Sequence, residues 1–201
     1  MSAFLGPIHH WLYHKIQLQE ELVGDILDLA VRSGWVLPSI EGLDPTAPST
    51  LPPLESSVDL DNIHGWLQDQ ITLSETRYAR LVTELLKADP ARRSALEELA
   101  CSFGKRHAVP AGASVEEAYQ AFQDSLLDGM PCDRVNQITE QRERSLSWRR
   151  AQCLHSVFWD QAGGDAGVYD TLRERIIAGM LAGSGLEFQT GEDKIFTLRE
   201  G

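Results

Sequence analysis

The sequence predicts an all-α protein, a bundle of about six helices with one small β-hairpin at its C-terminal end. Two observations favour this fold class. Apolar residues recur three and four positions apart over most of the 201 residues, and Gly or Pro separates these stretches. Strict alternation of apolar and polar residues is confined to the tail. We therefore expect a helical bundle over 1–184 and a hairpin over 185–201 that packs on it.

A repeated motif defines the two principal helices of the predicted bundle. The pattern I-H-x-W-L-x-x-x-I-x-L-x-E begins at Ile8 and again at Ile63, 55 positions later. Seven of its thirteen positions match, including a Trp pair and a His pair. Such a repeat indicates one structural unit used twice. It is equally compatible with an old duplication kept for packing, in which the histidines are hydrogen-bonded residues at the edge of the core.

The first two predicted helices are joined by a long connection. The first covers about 8–33, with Pro7 in a first-turn position and Gly34 beyond its end. The connection, 35–57, contains four closely spaced prolines, which exclude a regular helix. Its length allows the chain to return to the start of the first helix. The second helix, over about 58–87, can therefore run parallel to the first.

Four more helices are predicted, together with the tail hairpin. Asp89-Pro90 is typical of a helix start, and Ser114-x-x-Glu117 is a capping-box pattern. The fifth helix is long, Arg-rich at first and aromatic at its end, and Gly163-Gly164 terminates it. Helices one, two and five are expected to form the core. The predicted spans are 90–106, 114–127, 133–161 and 166–182 for the helices and 186–198 for the hairpin.

Charge and cysteine content exclude several classes of protein. The net charge of −12 disfavours binding to nucleic acids and to anionic membrane surfaces. The three cysteines include no C-x-x-C pair, so neither a disulfide framework nor a zinc finger is expected. The start of the sequence lacks the features of a signal peptide, and no apolar run is long enough for a membrane span. We expect a cytoplasmic protein.

The histidines and glutamates of the repeat form the leading candidate site. His9 and Glu20 are eleven residues apart, and His64 and Glu75 repeat this spacing. Eleven residues make about three helical turns, so the two side chains of each helix share one line, separated by about 16 Å of rise. One helix therefore cannot bring both to a single ion. If the helices run parallel, they present a histidine level and a separate glutamate level.

The fifth predicted helix supplies the third member of the site. If it runs antiparallel to the other two, His155 reaches the histidine level, and Glu140 or Glu143 approaches the glutamate level. His9, His64 and His155 would then form a facial site for Zn²⁺, Fe²⁺ or Mn²⁺ with open positions for water or substrate. Glu20 and Glu75 would act as second-level polar or acid/base groups.

Two functions follow as expectations. The first is binding of a metal ion or a small-molecule ligand between helices one, two and five, with metal-assisted chemistry if the protein is an enzyme. The alternative is a non-catalytic interaction or adaptor protein. It would oligomerise, for example as a homodimer, through aromatic anchors at Trp11, Trp66 and Trp159.

An arginine group in the fifth predicted helix is locally basic in an acidic protein. It could bind an anionic ligand or the acidic surface of a partner, and the alternative is a solvated or salt-bridged helix face. Its members are Arg142, Arg144, Arg149 and Arg150.

Overall fold

The described part of the chain contains seven α-helices and a four-stranded antiparallel sheet, so the all-α prediction is wrong. The structure is a computed structural model that describes residues 4–37 and 51–201. The described residues group into two compact units. The helical unit contains the described residues up to Ser94 together with His155–Ala166, and the sheet unit contains Ala95–Leu154 and Gly167–Gly201.

The helical unit is built on two long helices. They are α1 (Pro7–Arg32) and α3 (Ile63–Ala88), each of 26 residues. The α3 helix begins later than its apolar pattern suggests because the Asn62 side chain caps it, accepting from the Gly65 N–H at 3.2 Å. Two short helices complete the unit: α2 (Leu54–Ser57), at the end of the predicted connection, and α6 (Ser156–Gln161).

The α1 and α3 helices run parallel, side by side. Their contacts join residues at a nearly constant separation: His9 meets His64 near the helix starts, and Gln19 meets Glu75 three turns later. Because the offset is 55 residues at the first contact and 56 at the second, the two copies of the motif lie at nearly equal heights. Leu12, Ile16, Leu67 and Ile71, which occupy matching positions of the two copies, are all buried. The connection over 35–57 lies largely outside the described residues.

The sheet unit combines the four strands with three helices. The strand order is β1-β2-β4-β3, with antiparallel neighbours throughout. The capping box at Ser114 is confirmed, since its hydroxyl accepts from the Glu117 N–H and the Glu117 carboxylate accepts from the Ser114 N–H. The bounds are α4 (Arg93–Arg106), α5 (Val115–Ser125), β1 (Asn136–Arg142), β2 (Ser145–Arg150), α7 (Ala166–Met180), β3 (Leu186–Thr190) and β4 (Ile195–Glu200).

The predicted fifth helix, 133–161, does not exist as a helix. Its first part forms the β1–β2 hairpin, and only its last residues form α6. Residues such as Glu, Gln and Arg are good helix formers, which is why the segment looked helical. The segment forms strands in spite of these residues. Leu146 and Trp148 lie two positions apart, are both buried, and pair across the strands with Leu198 and Phe196.

The tail forms the expected pair of strands, but as half of the larger sheet. β3 and β4 pair with each other, and β4 also pairs with β2. A β-hairpin alone is marginal in water, and additional strands with one apolar face stabilise it. The tail and the β1–β2 hairpin therefore bury each other's apolar side chains.

Two glycines allow α4 and α7 to approach closely. A Cβ added at Gly104 would lie 2.0 Å from the Ile176 carbonyl oxygen, and one at Gly179 would lie 2.1 Å from the Cys101 carbonyl oxygen. Each glycine thus faces the backbone of the opposite helix, where a side chain has no room. This packing holds α7 in place, and α7 supplies much of the candidate site below.

Candidate functional site

His9 and His64 meet between α1 and α3, as the repeat suggests. Their Nε2 atoms are 3.1 Å apart, and the Gly6 N–H donates to His9 Nδ1 at 3.0 Å. Because His9 Nδ1 accepts, its neutral ring carries the proton on Nε2 and donates it to His64. Burial, followed by the neighbouring His64 and His10, lowers the pKa of His9 below 6.5. The pair is a hydrogen bond between the two copies of the motif.

His155 does not join this pair. Its Nδ1 lies 3.0 Å from Glu75 Oε2, with both side chains 2% exposed. Glu75 is eleven residues beyond His64 on the same helix, a rise of about 16 Å. The predicted long helix would have carried His155 to the histidine level. The residue instead lies at the N-cap of the short helix α6, which packs farther along α3.

The glutamates of the repeat have different partners. Glu75 Oε1 accepts from Gln19 Nε2 at 3.1 Å, so both of its oxygens are hydrogen-bonded. Glu20 accepts from Arg77 Nη1 at 3.1 Å nearer the surface. The two residues predicted to approach them belong to the sheet unit, Glu140 on the exposed strand β1 and Glu143 in the turn that follows.

The observed places of these histidines and glutamates can be compared with the metal site that the sequence predicts. Within residues 4–37 and 51–201, no three or more His, Cys, Asp or Glu side chains are grouped so that they could hold a metal ion. A metal-bound imidazole commonly donates from its other nitrogen, whereas His9 Nδ1 accepts from Gly6. The residues of the predicted triad are thus divided between a histidine pair and a histidine–glutamate pair.

The three predicted aromatic anchors differ in burial. Trp159 is fully buried and packs edge-on against Tyr78, with ring centroids 5.7 Å apart. Trp66 is partly buried and lies 5.8 Å from Tyr13. Trp11 is also partly buried, with Lys15 Nζ 4.1 Å from its ring centroid. Trp159 therefore serves the core of the helical unit, and the other two cover the surface of α1 and α3.

A pocket in the sheet unit, here called the aromatic pocket, combines rings with charged groups. One wall is the inner face of the sheet, and the other is α7, which contributes positions i, i+3, i+4 and i+7 of one helix face. The pocket is partly open to solvent. Its lining consists of Trp148, Arg150, Asp170, Arg173, Glu174, Ile177, Phe188, Thr190, Lys194 and Phe196.

Three rings form the apolar wall of the aromatic pocket. Trp148 and Phe196 are register partners on β2 and β4, with ring centroids 5.6 Å apart. Phe188 on β3 stacks on Phe196 at 5.8 Å, with an angle of 11° between the ring planes. Trp148 and Phe196 are buried and Phe188 is partly exposed, so this wall also belongs to the core of the sheet unit.

Arg150 is one of the charged residues that line the aromatic pocket. Its side chain is 3% exposed, and Nη1 donates to Asp170 Oδ1 at 2.9 Å. The guanidinium lies 5.3 Å from the ring centroid of Phe196 and 5.9 Å from that of Tyr169. Its Nε is buried and has no acceptor in the described part of the chain. A buried N–H without a partner is costly, and the Nε atoms of Arg77 and Arg92 share this condition within the described residues.

The other charges around Arg150 are paired. Asp170 also accepts from Lys194. Burial alone would raise the pKa of Asp170, but Lys194 and Arg150 outweigh it and lower the pKa. The buried Arg173 donates to Asp128 at 2.8 Å. Burial would lower the pKa of Arg173, yet the carboxylate of Asp128 raises it, so the guanidinium keeps its charge.

Sequence reasoning missed the aromatic pocket because it placed Trp148 and Arg150 on a long helix, although it did place Phe188 and Phe196 in the tail hairpin. Arg150 did stand out, but only as one member of a basic helix face. Two signals were present: the i, i+3, i+4, i+7 spacing of Asp170, Arg173, Glu174 and Ile177, and the alternation of Trp148 with Arg150 along a strand. Which helix face meets which strand is a tertiary property, so neither signal identifies a pocket alone.

None of the described helices combines the length and apolar character that crossing a membrane requires. Comparison of the chain with known protein families, with curated proteins and with solved structures finds no match.

Proposed function

We propose that this protein binds a small molecule in the aromatic pocket of its sheet unit. The observation that carries the proposal is Arg150, a buried guanidinium that lines the pocket and keeps an N–H without a protein acceptor. A few convergent polar groups on an apolar wall are the usual composition of a ligand site. The role of the protein is accordingly recognition of a small ligand, at a different place from the one predicted between the long helices.

The polar cluster of the helical unit is, by contrast, a poorer candidate for a ligand site. Glu75, His155 and Gln19 satisfy one another, and His9 and His64 are hydrogen-bonded together. Polar groups that are paired in this way, with His9, Glu75 and His155 buried and His64 exposed, contribute to specific packing and offer little to an incoming ligand. We therefore assign the repeat to the packing of α1 on α3.

The test is to close the aromatic pocket from its rim. Thr190 is an exposed residue on β3 that lines the pocket, and its neighbour Gln189 is exposed and does not line it. Thr190→Trp should place a ring in the opening, whereas Gln189→Trp should place one on the opposite face, because side chains alternate along a strand.

Purified full-length protein would be screened against single-ring aromatic compounds by thermal shift and titration calorimetry. We expect binders to the wild type and to Gln189→Trp, with at least tenfold weaker binding to Thr190→Trp. Binding that is unchanged by Thr190→Trp would place the ligand elsewhere and contradict the proposal. A panel without a single binder would contradict it as well.

A further inference from the structure

We infer that the neutral imidazole of His9 is a pH-sensitive helix cap, and that mild acidification releases the start of α1 from this cap and from α3. The inference concerns the helical unit and does not depend on the aromatic pocket. It follows from the two hydrogen bonds of the ring, from the positions of the protons on its nitrogens and from the charges at this end of the two helices.

The first hydrogen bond of the ring holds the start of α1. Gly6 is the N-cap residue of this helix, and His9 is its third residue. The Gly6 N–H donates to His9 Nδ1 at 3.0 Å, and the His9 N–H donates to the Gly6 carbonyl oxygen at 3.0 Å. A Glu or Gln side chain at this position commonly accepts the same N–H in a capping box. Here an imidazole takes that role, and an imidazole can be protonated near neutral pH.

The second hydrogen bond joins α1 to α3. His9 Nε2 carries the proton of the neutral ring and donates it to His64 Nε2 at 3.1 Å, so neutral His64 carries its own proton on Nδ1. Every nitrogen of the pair that is free of a proton is therefore already an acceptor. An additional proton from water that goes to His9 Nδ1 breaks the bond from Gly6, and one that goes to His64 Nε2 breaks the bond between the helices.

The charges at this end of the helices favour the neutral pair. Because α1 and α3 run parallel, the positive ends of both helix dipoles lie beside it. Neither helix has an acidic residue in its first turn. Burial, followed by His64 and His10, lowers the pKa of His9 below 6.5. The cap is therefore complete at neutral pH and is lost as the pH falls toward the folded-state pKa.

The carboxylates near this end belong to other segments. Glu55, in α2, has its Oε1 atom 3.7 Å from Nδ1 of His10. Asp59 and Asp61 are exposed residues of the turn before α3, and Asp59 Oδ1 accepts from the Asp61 N–H. Glu55 is thus placed to stabilise a charge on His10, and a charged His10 disfavours a second cation on the adjacent His9.

Hydrogen exchange of the full-length protein, followed by mass spectrometry from pH 7.5 to 5.5, tests the inference. Rates are corrected for the intrinsic pH dependence of amide exchange. A peptide over 4–13 reports on the start of α1, and a peptide over 22–32 of the same helix is the internal reference. We expect the protection of 4–13 to fall at least about threefold below pH 6.5, while that of 22–32 is unchanged.

Three variants assign the effect to His9. His9→Gln supplies an acceptor for Gly6 and a donor for His64 but has no proton to gain, so its protection over 4–13 should not depend on pH. His9→Ala lacks both hydrogen bonds and should have low protection at both ends of the pH range. His10→Gln, at the adjacent exposed position, should retain the wild-type fall.

Each contrary outcome is distinct. Wild-type protection over 4–13 that does not change with pH would overturn the inference. An equal fall in His9→Gln, or its loss in His10→Gln, would assign the effect to another group. A parallel fall over 22–32 would indicate unfolding of the whole helix and not release of its start. The comparison of wild type with His9→Gln decides the matter even if His9→Ala does not fold.

Discussion

Glu75 in the helical unit and Arg150 in the sheet unit are both buried charged residues, yet they differ in how completely they are paired. Both oxygens of Glu75 accept hydrogen bonds, from Gln19 and His155. Arg150 donates to Asp170 through one nitrogen and keeps Nε without an acceptor in the described part of the chain. A fully paired charge contributes to the fold, whereas an incompletely paired one keeps hydrogen-bonding capacity, a property that Glu20 and Arg77 share with Arg150.

The repeat provides a second comparison within the helical unit. Glu20 and Glu75 occupy the same position of the motif, but the Glu20–Arg77 pair is partly exposed and the Glu75–His155 pair is not. Glutamates at the same position of the repeat therefore contribute differently to stability, because different elements cover them. The predictions below test these differences, beginning with the largest.

Removing Glu75 should be the most damaging of these changes. Glu75→Ala leaves the buried His155 and the partly buried Gln19 without their acceptor, so we expect a loss of about 3–5 kcal/mol in the free energy of unfolding. Glu20→Ala is the matched control at the equivalent position and should cost about 1 kcal/mol, because its pair is closer to solvent. Urea unfolding of both variants measures the difference; equal losses would refute the contrast between the two copies.

Replacing Arg150 should affect binding more than stability. In Arg150→Met, Asp170 keeps its hydrogen bond with Lys194, and the methionine fills the space between the rings. We expect a cost of about 1–2 kcal/mol, smaller than for Glu75→Ala, together with loss of ligand binding in the aromatic pocket. Denaturant unfolding and calorimetry on the same preparation check the two effects. A cost equal to that of Glu75→Ala would mean that Arg150 is mainly structural.

The histidine pair should make stability depend on pH. The folded protein lowers the pKa of His9 below 6.5, so the unfolded chain takes up a proton first as the pH falls. The contribution of neutral His9 is complete above about pH 6.5 and is lost as the pH falls toward the folded-state pKa. We expect the decrease in urea midpoint between pH 7.5 and 5.5 to be smaller in His9→Gln. His14→Gln, at an exposed position of α1, should retain the wild-type decrease, and an identical decrease in both variants would rule out His9 as its source.

The smallest effect is expected at an exposed ion pair of the sheet. Arg144 is 70% exposed and pairs with Glu200 at the end of β4. Such pairs contribute little because water solvates both charges, so Arg144→Ala should change the free energy of unfolding by less than about 0.5 kcal/mol. A loss above about 1 kcal/mol in a thermal or urea melt would show that this exposed ion pair contributes more to stability than we expect.

The amino-acid sequence by itself determined the helices that have strong periodicity and clear caps. The motif placed α1 and α3, and Ser114 with Glu117 placed the start of α5. It also predicted that His9 and His64 would meet. These features depend on interactions within one helix or on one repeated spacing, which a single sequence records.

Only the tertiary structure decided the rest. The segment around Trp148 has residues that suit a helix, and it is a strand because β4 pairs with it and buries its alternate side chains. Because this segment is a strand and not a helix, His155 contacts Glu75 and not the histidine pair, and Arg150 lines the aromatic pocket against α7. Pairing between strands 50 residues apart and burial against a helix are non-local energies, so a local pattern could not reveal them.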